Sequence, residues 1–417
     1  MTGRFAVESR PDLAYRRPVS LVGRGALVFV VMAAVPACEL FASLPDYSVD
    51  PELTVDGGFD PDATDAPAAE CETTAQCSAP EVCVMGDCRA CDDDAHCGDP
   101  SANVCLPDGT CAAPGRIAYA SPGGAGAQCT LAAPCALEQA FAAAAASGTI
   151  DIVKLIPGAY PRATGYTFAG DIAILAGQGA TLTATSPVQM IRVESGNLTI
   201  VGVELVGNQQ FNTLCIPQTG QPATMSLYRV LSRGGAYGTG GFNCALNITR
   251  STLTQSSNLA VYAQQGTARI SSSVILGNGG PSNAAGGISF VNCPDGKIEL
   301  STIAANTTAG PDLAAGIDCA GSTVTVTSSI IWGNTGPTTI TPACAIDYSI
   351  VEPTYAAGAH NVRSDPMFLG AGDFHISAAS PARGIADPAL TAPTLDRDGE
   401  PRPQGGTVFD VGADEIP

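Results

Sequence analysis

Three segments of the chain repeat one another. ISSSVILGN ends at Asn278, LSTIAAN at Asn306 and VTSSIIWGN at Asn334, and both intervals between these Asn residues are 28. A fixed period of this length means stacked structural units, and the β-branched residues in each unit make it strand-forming. The period continues upstream: LTIVGVELVGN ends at Asn208, SLYRVLSRGG reaches Gly234, and LNITRSTLTQSSN ends at Asn258. Each unit alternates apolar and polar residues, then breaks in Gly, Asn, Ser and Thr. Asn and Gly supply the left-handed backbone that a sharp corner needs. One unit cannot bury its own apolar face, but stacked units can. The expectation is an all-β solenoid with Asn208, Asn258, Asn278, Asn306 and Asn334 at its turns, their amides bonding along the axis.

The first residues are of another kind. Arg4, Arg10, Arg16, Arg17 and Arg24 precede an apolar run from Ala26 to Ala37, too short to span a bilayer. A basic stretch before a short apolar core is an export signal. It ends in Val35-Pro36-Ala37-Cys38, which resembles the bacterial lipobox. The resemblance implies a signal peptide over 1–37, a lipidated Cys38, and a lipoprotein of the outer membrane or cell surface of a Gram-negative bacterium. Ordinary cleavage after Ala37 and an uncleaved anchor are the alternatives. Residues 39–70 carry nine Asp or Glu and no Lys or Arg. Such a segment buries too little apolar surface to fold, so residues 38–70 read as the lipidated Cys and an acidic disordered tether.

Residues 71–114 form a small module. Of the 16 Cys, eight lie here: Cys71, Cys77, Cys83 and Cys88, then Cys91, Cys97, Cys105 and Cys111. ETTAQC and DDDAHC occupy the same slot in the two copies. An even, regular set in an exported chain argues for disulfides, with three pairings open to each copy. Zinc is the competing reading, but Cys88-x-x-Cys91 is the one close pair and it straddles the copies. The module resembles the Cys-rich repeats of myxobacterial-type surface lipoproteins. With so few apolar residues, its stability rests on cross-links. Further on, Cys129 and Cys135 flank TLAAP and are expected to pair. Cys293, Cys319 and Cys344 are about one coil apart, so neighbours among them can bridge. Together with Cys215 and Cys244 they make an odd number, which leaves at least one free.

Ala136 to Ala146 reads as a helix with Leu137 and Phe141 on one face and Gly148 past its end, followed by TIDIVKLIPGAY. A Pro-Cys pair, an Ala-rich helix, a strand and PGAY resemble the opening of right-handed parallel β-helix proteins of the pectate-lyase-like superfamily. DPMF at 365–368, GDFHI at 372–376, SPARGIAD at 380–387, and DRDGEPRPQGG through DVGADE at 396–415 resemble the closing segment of the choice-of-anchor type. The resemblance covers residues 115–417. It implies a right-handed parallel β-helix whose first coil is capped by the helix, and it brings no established molecular function.

Many β-helices cleave acidic polysaccharides, which needs clustered carboxylates or calcium-binding acids beside a base. Between 150 and 345 the acids are scattered, and the Gly-His-Gly of polygalacturonase-type hydrolases does not occur. Asp295, Lys297 and Glu299, with Asp318 about one coil later, are the catalytic candidates of a divergent lyase or hydrolase, the alternative reading. Tyr237 and Phe242 stand among glycines in GGAYGTGGF and are candidates for glycan contact; packing against a neighbouring coil is the plainer role. Asp396-Arg397-Asp398-Gly399 resembles the start of a calcium loop but lacks the later Glu. No metal or cofactor is therefore expected, calcium being the one entertained. Asp396, Asp398, Arg402, Asp410 and Asp414 are expected to tie down the terminal segment. A net charge of −20 argues against nucleic acid as a partner. The sequence thus points to a non-catalytic surface lipoprotein serving envelope structure, adhesion or glycan contact.

Overall fold

The computed structural model describes residues 71–417 apart from 79–80, 85–86, 92, 99–102, 178, 219, 281–285, 311–313, 371, 392, 405, 407 and 417. The signal peptide, Cys38 and the tether lie outside the described residues. From Ile117 onward the chain winds as a parallel β-solenoid, each full coil laying one strand on each of three faces. Ala223–Tyr228 lies on the first face, Leu231–Gly234 on the second and Tyr237–Phe242 on the third. Ala245–Thr249, Thr252–Thr254 and Val261–Gln264 follow in the same order. The strands of these three sheets pair in parallel, coil on coil.

This pairing stacks like on like. On the first face Ile200, Leu227, Ile248, Ile270, Ile298, Val326 and Ile346 stand in one column. On the second, Leu205, Ser232, Leu253, Ile275, Ile303 and Ile331 do the same. Both columns are buried, so the alternation read from the sequence becomes a continuous dry interior. Polar residues inside are matched across coils: Thr213 Oγ1 donates to Thr239 Oγ1 at 2.8 Å and Asn212 Nδ2 to Ser232 Oγ at 2.9 Å.

The corners explain the rest of the sequence. Between first and second faces the chain turns on a left-handed residue, which is Gly202 on one coil and then Arg229, Arg250, Ser272, Leu300, Ser328 and Tyr348, these six with φ from 44° to 54°. That backbone costs about 1–2 kcal/mol per residue, and a buried serine ladder offsets it. The N–H groups of Ser251, Ser273, Ser301 and Ser329 donate to the hydroxyls of Ser273, Ser301, Ser329 and Ser349 on the following coils, at 3.1–3.2 Å. Asn361 Oδ1 closes the row on the Ser349 N–H.

Between second and third faces runs an asparagine ladder. Asn278 Nδ2 donates to Asn306 Oδ1 and Asn306 Nδ2 to Asn334 Oδ1, both at 2.9 Å. Glu352 ends it by accepting the Asn334 N–H. Asn208, two residues after Val206 as Asn278 is after Leu276, lies in line with this row but gives its side chain no bond to it among the described residues, and Asn258 is outside it. The coil before Asn278 spans 22 residues, which puts Ser256 in line, and its N–H meets Asn278 Oδ1 at 3.0 Å. Asn258, two residues on, gives its amide to the Tyr237 hydroxyl instead.

Both ends are covered. The helix Leu137–Ala146 buries Leu137, Ala140, Phe141 and Ala144, and Phe141 meets Tyr166 edge-on at 4.3 Å. Ser147 ends it, taking the N–H groups of Thr149 and Ile150 on its hydroxyl, so Gly148 has no capping role. The pairings in the cysteine module are Cys71–Cys83, Cys77–Cys88, Cys91–Cys105 and Cys97–Cys111, first with third and second with fourth in each copy. The second copy is part of the body's cover. Its Val104 and Ala112 pack with Ile117, Tyr119, Ile152, Leu175 and Val201, and Asp94 pairs with Lys154. Cys129–Cys135 is formed, as are Cys215–Cys244 and Cys319–Cys344. Cys293 is the free one, so it bridges neither Cys319 nor Cys344. Seven disulfides are the chemistry of an exported protein. Among the described residues no helix is long and apolar enough to cross a membrane.

The closing segment runs back over the outside of the second sheet. Its Ile376, Ala382, Ala386, Phe409 and Val411 pack with Leu300, Ile330 and Ile350. Its Arg397 reaches Thr252, several coils back.

Candidate functional site

The three outer faces offer different chemistry. On the first, Asp295–Glu299 projects Asp295, Lys297 and Glu299 outward, and each is neutralised locally. Arg269 meets Asp295 at 2.8 Å with both side chains about half exposed, and Lys297 meets Glu299 at 2.7 Å. Asp318 does not join them. The coil places Thr325 beside Lys297, whereas Asp318 lies in Ile317–Asp318 of the third sheet, beside Ser289. The residue is 1 % exposed. Burial pushes its carboxyl above the usual range, against hydrogen bonds from Ser289 and Thr341 and from the Ala320 and Cys319 backbone. The four nominated residues therefore lie on two faces and share no substrate position.

The third face carries aromatic side chains on successive coils. Phe211 stands in register with Tyr237 and stacks on it, rings 4.2 Å apart and 11° from parallel. Phe242 leans on Tyr262 at 5.2 Å and 52°. All four are half-buried. The stacked pair covers one ring face of each partner, so it presents edges; the tilted pair leaves a wedge open. The glycines between them are required by this packing, since a Cβ on Gly240 would stand 2.5 Å from the Phe211 ring. The Tyr237 hydroxyl takes a hydrogen bond from Asn258 at 2.7 Å, and that of Tyr262 donates to Gln264 at 2.9 Å. Burial, with Tyr237 adding to it, pushes the Tyr262 phenol up.

On the same face, toward the N-terminal coils, lies a cleft of about 400 Å³ lined by Gly165, Thr167, Val188, Gln189, Arg192 and Gln210. Arg192 meets Glu194 at 2.9 Å, and Gln218 donates to the same carboxylate at 2.6 Å. The sequence reading singled out Tyr237 and Phe242 and missed Phe211, Tyr262 and this cleft. Phe211 was findable, because it falls one coil before Tyr237.

The closing segment holds the densest charge. Arg402, with its guanidinium fully buried, donates to Glu415 and to the carbonyls of Asp410 and Gly412 at 2.9–3.2 Å. Desolvation lowers its affinity for the proton, against the surrounding acids. Asp396 Oδ1 accepts three successive N–H groups, from Asp398, Gly399 and Glu400. The motif that resembles a calcium loop thus spends its first oxygen on its own turn. His375 lies between Asp373 at 2.5 Å and Asp398 at 3.1 Å. The hydrogen bond to Asp398, against partial desolvation and with Asp373 on the other nitrogen, pushes the imidazole up to about 9.

No family model matches the chain, and no curated protein matches it. Among solved structures it is similar to pectate lyase Pel9A, at 13 % identity and a TM-score of 0.44, over 72 % of this chain and 96 % of that one. The parallel coils described above rest on the strand register and not on that likeness.

Proposed function

We propose that the protein is a non-catalytic, lipid-anchored rod at the bacterial cell surface that holds polysaccharide on its third face. One observation carries the reading: that face has a strip of half-buried aromatic rings, from Phe211 and Tyr237 to Tyr262 and Phe242, with a polar cleft on the same face. Ring edges and wedges beside side-chain amides suit a wet, sugar-like ligand. The second face is covered by the closing segment, and the N-terminal part of the first by the cysteine module. Lipidation at Cys38 and the acidic tether would set the rod off from the membrane.

The test is retention against turnover. Purified protein is run through gels containing acidic or neutral polysaccharide, with unsaturated or reducing-end product assayed in parallel. Retardation without product is expected. Tyr262→Ala and Phe242→Ala should each weaken it about fivefold, the equivalent of roughly 1 kcal/mol per aromatic contact, while Lys297→Ala leaves it unchanged. Product formation that Lys297→Ala abolishes would establish the lyase instead.

A further inference from the structure

The closing segment brings a second group of residues together over the second sheet. A cavity of about 90 Å³ is lined by Asp373, His375, Arg397, Asp398 and Asp414, with Val274 and Leu276 beneath. Within it, one ring nitrogen of His375 and one carboxylate oxygen from each of Asp398 and Asp414 lie within 4.8 Å of one another. The arrangement around His375 is that of a supported metal ligand. Asp373 holds Nδ1 at 2.5 Å and turns Nε2 toward Asp398 Oδ2 at 3.1 Å. A carboxylate on the far ring nitrogen is what fixes a metal-bound imidazole. A nitrogen and an oxygen about 3 Å apart can share one ion at roughly 2.0–2.2 Å from each.

Asp414 supplies an independent sign. It is 5 % exposed. One of its oxygens accepts the Ile376 N–H at 2.8 Å, and among the described residues no hydrogen bond reaches the other. A carboxylate on so buried a residue, with no ion pair of its own among the described residues, is costly. The nearby buried cation, Arg402, is committed to Glu415 and to backbone carbonyls, and Arg397 pairs with Asp398.

We propose that His375, Asp398 and Asp414 bind one zinc-class divalent cation, which ties the hairpin strand Asp373–Ile376, the turn at 396–400 and the C-terminal stretch to one another over the second sheet. One imidazole with two carboxylates suits zinc better than calcium, which takes six to eight oxygens. The cavity leaves the fourth position to water. Asp373 is a positioning residue for His375, and Asp396 is no ligand, its Oδ1 being taken by three N–H groups.

The full chain, with disulfides intact, is stripped with a chelator, dialysed and titrated with zinc chloride; bound metal is counted by elemental analysis and the thermal midpoint is followed. One zinc per chain and a midpoint raised by several degrees are expected. His375→Gln and Asp414→Asn should abolish the zinc-dependent rise while keeping the native far-ultraviolet spectrum. Asp373→Asn should weaken binding about 10- to 100-fold, and it carries the test if either ligand variant fails to fold. The proposal is overturned if the wild type shows no zinc-dependent rise, if His375→Gln and Asp414→Asn bind zinc as it does, or if calcium produces the rise and zinc does not.

Discussion

Replacing Asn306 by Ala lowers the stability of the solenoid by roughly 3–5 kcal/mol, whereas Asn258→Ala costs about 1 kcal/mol or less. The difference lies in what each amide leaves behind. Asn306 is fully buried and takes part in four side-chain hydrogen bonds. Its Nδ2 donates to Ile275 O at 3.0 Å and to Asn334 Oδ1 at 2.9 Å. Its Oδ1 accepts the Asn278 N–H at 3.0 Å and Asn278 Nδ2 at 2.9 Å. Removing it strands donors and acceptors on the coils above and below, and each unmatched buried group costs about 1–3 kcal/mol. Asn258 is half-buried and bonds only the Tyr237 hydroxyl through its side chain, a partner that water can replace. Urea unfolding of the two variants measures this directly, as a fall in midpoint at constant slope. Equal losses at the two positions would mean that the ladder adds nothing beyond ordinary turn polarity.

The same comparison shows what the sequence revealed. The 28-residue interval from Asn278 to Asn334 is visible by eye because two successive coils have equal length. Where coils shorten to 22 residues, an Asn near the expected place is no longer the residue in line, which is why Asn258 misleads. Asp318 fails on a coil of full length. It follows Asp295 by less than the 28 residues that join Lys297 to its neighbour Thr325, so it falls short of the first face and lands on the third. The serine ladder was hidden for a different reason. Ser251, Ser273, Ser301, Ser329 and Ser349 are periodic, but the left-handed residues before them are Arg, Ser, Leu, Ser and Tyr, of which only Ser is a turn residue. The aromatic strip and the His375 group depend on which loops fold over which face. That depends on packing between segments far apart in the chain, as in Arg397 reaching Thr252.

The disulfides allow one position to be completed. At the end of the third-face strands, Cys215, Gly241, Ala263 and Phe290 follow one another in register. Cys215 is bonded to Cys244, in the turn of the next coil, and Cys319 to Cys344 in the same way. Cys293 occupies that turn one coil above Ala263, with its sulfur 3.3 Å from the Ala263 carbonyl oxygen. Burial pushes the Cys293 thiol up, so in the native protein it is a poor nucleophile and a small apolar filler. Ala263→Cys supplies the missing half of a third rung. Closing a loop across 30 residues stabilises by about 3–4 kcal/mol in the chain-entropy account. The variant should lose two hydrogens by intact mass, show one free thiol fewer than the parent after unfolding in denaturant, and unfold at higher urea than the parent, with the gain abolished by Cys293→Ser. A variant that keeps both thiols free under air oxidation would show that position 263 does not stand to Cys293 as Cys215 stands to Cys244.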